Sequence, residues 1–472
     1  MSRIKAHSRR RFLEIMGVGA GVVALRSVLS PAKAFADTGN PQLLLFCYLS
    51  GGWDQLLAFD PRPYNQAKYQ TNEMYKGPGT TGIFPAYDWV VDPGVESVLA
   101  TPATASGVQT RGNITCGPAV PDALLDHAPD LCVIRGLSMD TLTHEVGRRY
   151  FTTGKFPRGL APNGSALTTV VASEEGSAAL LPNLAISTES YNEGQAAYAS
   201  PIRVNNASDV LSVLTPLGAT LDPKSDAALL AFEEASDTCE HRAADGGGLV
   251  SLFKDSRKEA RSMTSGTAAT LFQYSIQNPV LPLFDALDIG TNADLNGPKG
   301  KAAIAALALE NGISQAVSVE LASGLDDHDE WDTNHAGNLR GSFETLGRLI
   351  SYLKMRDYQG MGGGKVWDHT TLVVFSEFAR GPTVNSRNGR DHHLASSCVV
   401  AGPGIQGNLV VGATSDQNMA VRRMNLTTGA PDDVAGALVR PSDVHATLLQ
   451  SMGLPHEHLS NQSPQIIQKI LK

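Results

Sequence analysis

The chain repeats one pattern that narrows its architecture: a short, fully apolar run, then a small or polar break, then a helical stretch. Gln42–Leu49 (QLLLFCYL) is the first run and ends in Ser-Gly-Gly. Leu131–Ile134, Ser314–Leu321, Thr371–Phe375, Ser397–Ala401 and Leu409–Val411 follow it. Runs of this length without polar alternation read as strands buried on both faces. Helical patterns lie between them over Ala227–Ala235, Ala302–Glu310, Phe343–Met355 and Ser442–Met452. Ser442 suits the N-cap of the last helix and Gly453 its stop. Such alternation predicts an α/β fold with a mostly parallel sheet covered by helices on both faces. Ligands of such sheets bind beyond the carboxyl ends of the strands.

The strand ends therefore carry the chemistry. Gly51-Gly-Trp-Asp54 follows the first run, and Asp326-Asp-His-Asp-Glu-Trp-Asp-Thr-Asn-His335 follows the third. Ser376-Glu377-Phe378-Ala-Arg380 comes after Thr371–Phe375, and Arg390-Asp-His-His393 sits just ahead of Ser397–Ala401. Four segments thus deliver Asp, Glu and His toward one edge, the mark of a metal site. Carboxylates and imidazoles suit Zn, Mn, Mg or Ca. Each residue also has a plainer role open to it. Asp54 can cap a turn, and acidic loops such as 326–332 are mostly solvated. Glu377, an acid directly after a buried strand, must be solvated or paired. Arg380 and Arg390 suit an anionic substrate group or neutralise nearby acids. His445, on the last helix, reads as structural or as an outer partner.

The N-terminus addresses the compartment. Ser8-Arg-Arg-Arg-Phe-Leu-Glu14, a mildly apolar Ile15–Leu29 and small residues offering cleavage near Ala34 or Ala36 form a twin-arginine export signal. The apolar stretch is too short and too broken to span a bilayer stably. Residues 1–36 are thus a leader, and the expectation is a periplasmic or secreted protein handled by the twin-arginine machinery. Of 38 basic and 47 acidic residues the leader holds seven and one, which leaves a net charge of −15. Nothing there favours nucleic acid, whose phosphates require basic surfaces. The five cysteines are scattered, with no C-x-x-C; an exported chain would permit one disulfide such as Cys116–Cys132, which spacing alone does not establish. The remainder, 37–472, exceeds the usual single-core limit of roughly 250–300 residues. It reads as one α/β domain in which about 157–301, poor in ligand-type clusters and Gly-rich at 245–248, forms a helical insertion or lid.

The motifs LLLFCYLSGGWD, GLDDH, TLVVFSEFARGP, GRDHH, VVAGPGI, VVGATSD and PSDVHATLLQSMGL, with the leader, occur in an order that resembles a twin-arginine-exported bacterial family of unknown function related to sulfatases and alkaline phosphatases. The resemblance covers both ends of the chain and not its centre. It implies a three-layer αβα sandwich of the alkaline-phosphatase type with one or two divalent ions at the strand ends. On this likeness Asp54, Asp326, His328, Glu377 and His392 would be the ligands, with Asp332, His335 and His393 as weaker candidates. Phe378 stands where relatives carry a ligand histidine. In the segment Thr143–Gly154, the slot ten residues before Gly154 holds His144 rather than Cys, Ser or Thr, and Arg148 falls on an arginine that supports the nucleophile in sulfatases. With no Cys-x-Pro-x-Arg, formylglycine chemistry is excluded. Three catalytic options stay open: His144 as nucleophile or ligand, Thr143 as nucleophile, or direct attack by water at the metal.

Two functions follow from the sequence. The first is a metal-dependent hydrolase of a phosphate or sulfate ester, with a small-molecule or polymer substrate and Arg380 and Arg390 as anion clamps. The second is a non-catalytic exported binding or assembly protein on a degenerate sulfatase-like scaffold, which His144 and Phe378 favour. Fold does not choose between them.

Overall fold

A computed structural model describes residues 42–63, 82–90, 107–176, 179–215, 267–360 and 362–472, with scattered positions between 222 and 232. Residues 1–36, expected to be a leader, and Cys239 lie outside the described residues, and the helix expected over 227–235 is described only at 227–229 and 231–232, where it is helical. Twelve strands form among the described residues: β1 (Leu43–Leu49), β2 (Gln109–Arg111), β3 (Ile114–Cys116), β4 (Cys132–Ser138), β5 (Asn183–Ile186), β6 (Ile202–Val204), β7 (Ala316–Ala322), β8 (Thr370–Phe375), β9 (Ala379–Arg380), β10 (His392–His393), β11 (Ala395–Ala401) and β12 (Leu409–Val411). Eight of them make one sheet in the order β12-β4-β11-β8-β1-β7-β5-β6, and the pairs β9–β10 and β2–β3 form two small ribbons.

Strand β1 shows why the sheet must be covered twice. Leu43, Leu45, Cys47 and Leu49 point into one apolar core, while Leu44, Phe46 and Tyr48 point into another. The first core is closed by two helices, α3 (Pro298–Glu310) and α4 (Trp331–Met355). The second is closed by α1 (His144–Thr153), α2 (Leu167–Glu175) and α5 (Pro441–Ser451). Phe151 of α1 stacks on Phe375 of β8 with ring centroids 4.1 Å apart. Each such buried Leu or Phe stabilises the fold by roughly 1.5–3 kcal/mol relative to exposure. The result is the expected three-layer αβα sandwich.

Strand direction places the site. β1 runs parallel to β7 and β8, whereas β11 runs antiparallel to both β4 and β8. The beginning of β11 therefore lies at the same edge as the ends of β1, β7 and β8. A single reversed strand thus brings a segment that precedes its strand, Arg390–His393, to the segments that follow theirs.

The stretch 157–301 is not separate from the sheet. β5 and β6 extend it at the β7 edge, pairing parallel to β7 and to each other. The Cys116–Cys132 disulfide is corrected: Cys47, Cys116, Cys132 and Cys398 are all buried free thiols. Among the described residues no helix is long and apolar enough to cross a membrane.

Candidate metal centre

Two glycines set the floor. After β1 the backbone turns through Gly51 at φ +119° and Gly52 at φ +84°, a left-handed pair that non-glycine residues rarely adopt. Their N–H groups, with the Ser376 hydroxyl, donate to the Glu377 carboxylate at 2.9–3.2 Å. Consecutive amides of this kind form an anion-holding nest. A Cβ on Gly51 would lie 2.5 Å from the Asp326 nitrogen, so the loop after β7 rests directly on this turn.

Glu377, 1% exposed, is thus behind the centre rather than in it, and its outward contact is one histidine. Its Oε1 lies 2.7 Å from His144 Nδ1, at the first residue of α1. Two more imidazoles are held the same way. His328 Nδ1 lies 2.9 Å from Asp391 Oδ1, and His392 Nδ1 donates to the Leu142 carbonyl at 2.6 Å. In each ring the Nδ1 proton has an acceptor, which leaves Nε2 as a lone pair when the ring is neutral. All three Nε2 atoms turn toward Asp326 Oδ1: His144 at 3.2 Å, His328 at 3.2 Å and His392 at 3.5 Å. Ligand atoms of His144, Asp326 and His392 lie within 4.8 Å of one another. His328 adjoins them, its Nε2 3.0 Å from that of His392.

The electrostatics are those of an electron-rich pocket. Burial pushes the Asp326 carboxyl up, but the Arg380 guanidinium, 2.6 Å away, and His144 bring it down to about 2. Burial disfavours the His144 imidazolium, yet Glu377 overrides it and raises the histidine pKa. For His392, burial and the neighbouring Arg380 and His144 lower it. Three imidazole lone pairs and a carboxylate facing one another require either protons or a cation between them. Nitrogen and oxygen donors backed by hydrogen-bonded partners are the arrangement that zinc-class ions take. The donor set therefore fits one divalent ion.

Phe378 fills the place expected of a further histidine with a hydrophobic floor. Its ring centroid lies 4.7 Å from that of His144 and 4.2 Å from that of His392, which fixes both imidazoles without coordinating.

Other predicted site residues lie apart from this group. Asp54 is buried, with Oδ1 accepting from the Leu56 and Leu57 amides and Oδ2 3.0 Å from Arg390 Nε. His335, also buried, bridges Asp327 and the Asp54 amide. Asp332 lies in the first turn of α4, where a negative side chain suits the helix dipole. His393 turns away from its neighbour to the Asn418 carbonyl, 2.9 Å distant. Arg380 donates inward to the carbonyls of Gly51, Gly52 and Arg390 and to Asp326. Arg390 lies 4.3 Å over the Trp331 ring and donates to the Gly381, Phe84 and Pro85 carbonyls. Both guanidiniums are wholly enclosed and face the fold rather than a ligand. Thr143 is exposed and makes no side-chain cap bond. Arg148 is engaged with Glu189, at 3.0 Å. The sequence placed Asp391 among the strand-end acids without assigning it a role, and nothing in it pointed to the Leu142 carbonyl.

The fold and the site define a three-layer α/β protein with an imidazole–carboxylate cluster at the carboxyl edge of its sheet. By sequence, residues 42–470 match a family described as a protein of unknown function, DUF1501, and the chain belongs to that family. No curated protein matches the sequence. Solved structures with a similar chain trace include the lipoteichoic acid synthase LtaP from Listeria monocytogenes, 9% identical, with 96% of this chain and 82% of that one covered at a TM-score of 0.36. A protein in the alkaline phosphatase superfamily from Vibrio parahaemolyticus is 9% identical over 95% and 76%, at 0.34. The alkaline phosphatase from the Antarctic bacterium TAB5 is 10% identical over 88% and 99%, at 0.30. Such distant likenesses say nothing about the site's residues.

Proposed function

We propose that the chain is an exported hydrolase of a phosphate or sulfate ester that works with one divalent cation held by His144, Asp326 and His392, with His328 as a fourth ligand or close support. One observation carries this reading: three imidazoles whose Nδ1 atoms are already engaged turn their Nε2 atoms toward a single carboxylate oxygen. When bound, a divalent cation supplies Lewis-acid polarisation of an ester oxygen and eases deprotonation of water at neutral pH. The chain's own groups do the rest. Glu377, Asp391 and the Leu142 carbonyl orient the three rings, Arg380 keeps Asp326 ionised, and Phe378 walls one side against water. With His144 held between Glu377 and Asp326, the attacking oxygen comes from Thr143 or from solvent. The leader supports export before cleavage.

A binding or assembly role without catalysis has one observation in its favour. Asp54 and Glu377, carboxylates expected among the metal ligands, are both committed to the fold. The two readings separate in one assay. Protein reconstituted with Zn, Mn, Mg or Ca is offered a panel of aryl phosphate and sulfate esters. Turnover that His392→Ala abolishes supports the hydrolase, and Thr143→Ala then tells hydroxyl from solvent attack. Metal bound with no turnover across the panel supports the binding role.

A further inference from the structure

A second polar cleft opens at the same sheet edge, one helical turn from the metal centre. It has a volume of about 330 Å³ and lies at the ends of β1, β5, β6 and β7; Tyr48, Arg148, Glu189, Arg203 and Glu320 are among its lining. His144 and Arg148 share a face of α1 four residues apart, a rise of about 6 Å.

Both acids in the lining of this cleft are already paired. Glu189 is shared by Arg148 at 3.0 Å and Arg149 at 3.1 Å, and it also accepts the Tyr191 hydroxyl. Glu320 is matched by Lys301 at 2.8 Å. Arg203 has no carboxylate partner among the described residues; it donates to the Ser190 carbonyl at 2.8 Å and lies 5.9 Å from the Tyr191 ring centre. The lining thus holds two arginines and two acids, and with Arg149 and Lys301 neutralising the acids from outside it, the Arg203 charge is left over in a chain whose overall charge is −9. The Tyr48 hydroxyl, on a residue only 3% exposed, lies near Arg148, Ser50 and Glu377 but makes no hydrogen bond of good geometry within the described residues. A buried hydroxyl without a well-formed hydrogen bond is costly, so this one is free to turn to an acceptor that enters the cleft.

We propose that this cleft is an anion-binding subsite, in which Arg203, Arg148 and the Tyr48 hydroxyl receive a phosphate- or sulfate-type group. Guanidinium geometry matches such oxyanions. Combined with the hydrolase reading on which this step rests, the cleft specifies the substrate: it carries a second anionic group roughly one helical turn, on the order of 6 Å, from the ester at the metal. An anionic polymer, or a small molecule bearing two such groups, meets that requirement.

The test uses the full chain and inorganic phosphate, titrated calorimetrically after treatment with a chelator so that no cation holds the anion. Binding is expected to persist in the chelated protein and in His392→Ala, and to weaken about tenfold or more in Arg203→Glu, as loss of a charge-assisted hydrogen bond implies. Tyr48→Phe should weaken it less, and Arg203→Lys should retain part of it. Arg203 is exposed, so its variants should fold; an unchanged melting temperature confirms it. Phosphate binding that vanishes with the metal, or that Arg203→Glu leaves intact, overturns the subsite. The metal-centre reading stands or falls separately, on metal content and on turnover of singly charged esters.

Discussion

At the residue scale, what distinguishes ligands from supports is which atoms are already engaged. Glu377 has every oxygen occupied by Gly51, Gly52, Ser376 and His144, so its effect on the centre passes through His144. Glu377→Gln keeps the volume and one acceptor but loses the charge that fixes the His144 tautomer. Metal affinity should fall about 10–100-fold with the fold intact, as for other outer partners of ligand histidines; competition with a chelating dye measures it. An unaltered affinity would mean that His144 is not a ligand. His328, Asp326 and His392 were legible in the sequence because acids and imidazoles cluster there after and before buried runs. Asp54 was not separable from them. Its partner Arg390 comes from the far end of the chain, and only the folded structure shows their 3.0 Å contact. Thr143 and His144 remained alternatives in sequence because spacing says nothing about which ring nitrogen faces Glu377.

Among the elements, helix α1 carries the greatest constraint. A Cβ placed on Gly147 would lie 2.3 Å from the Glu377 carbonyl oxygen, so helix and strand end touch backbone to backbone. Gly147→Ala should push α1 away, costing about 1–3 kcal/mol as overpacking does, and should cut metal binding by separating His144 from Glu377. Denaturant melts and metal titration of the one variant check both. Helix α5 and the short turn Glu457–Gln462 after it give the pH response. His445 is wholly buried, edge-on to Phe46 and Phe151, and burial lowers its pKa to about 3; burial likewise lowers His458, to about 4. Both depart downward from the ordinary value of about 6.5, so the unfolded chain takes up protons first as pH falls. Their contribution is complete above about pH 6.5 and is lost toward pH 4 and then 3, at most about 1.4 kcal/mol per histidine per pH unit. His445→Gln should flatten the acid limb of a stability curve; an equally steep limb would exclude His445 as its source. Long strands such as β1 were legible because both faces are apolar. β5 and β6, four and three residues long, offer too little pattern to be seen, which is why 157–301 read as an insertion.

On the scale of the whole molecule, one topological choice makes the site. Reversal of β11 puts Arg390–His393 at the edge where β1, β7 and β8 end, and the same edge carries the polar cleft around Tyr48 and Arg203. The apolar runs made a mostly parallel sheet predictable. The direction of β11 was not, because a buried run has the same composition whichever way it points. The account depends above all on a single cation at the centre, and elemental analysis of the purified, folded chain tests that most directly. It predicts close to one Zn, Mn, Mg or Ca per chain, lost in His392→Ala and Asp326→Ala and kept in His393→Ala, whose ring faces the Asn418 carbonyl. A well-folded chain that takes up no metal after supplementation, or that keeps it in His392→Ala and Asp326→Ala, would contradict the account.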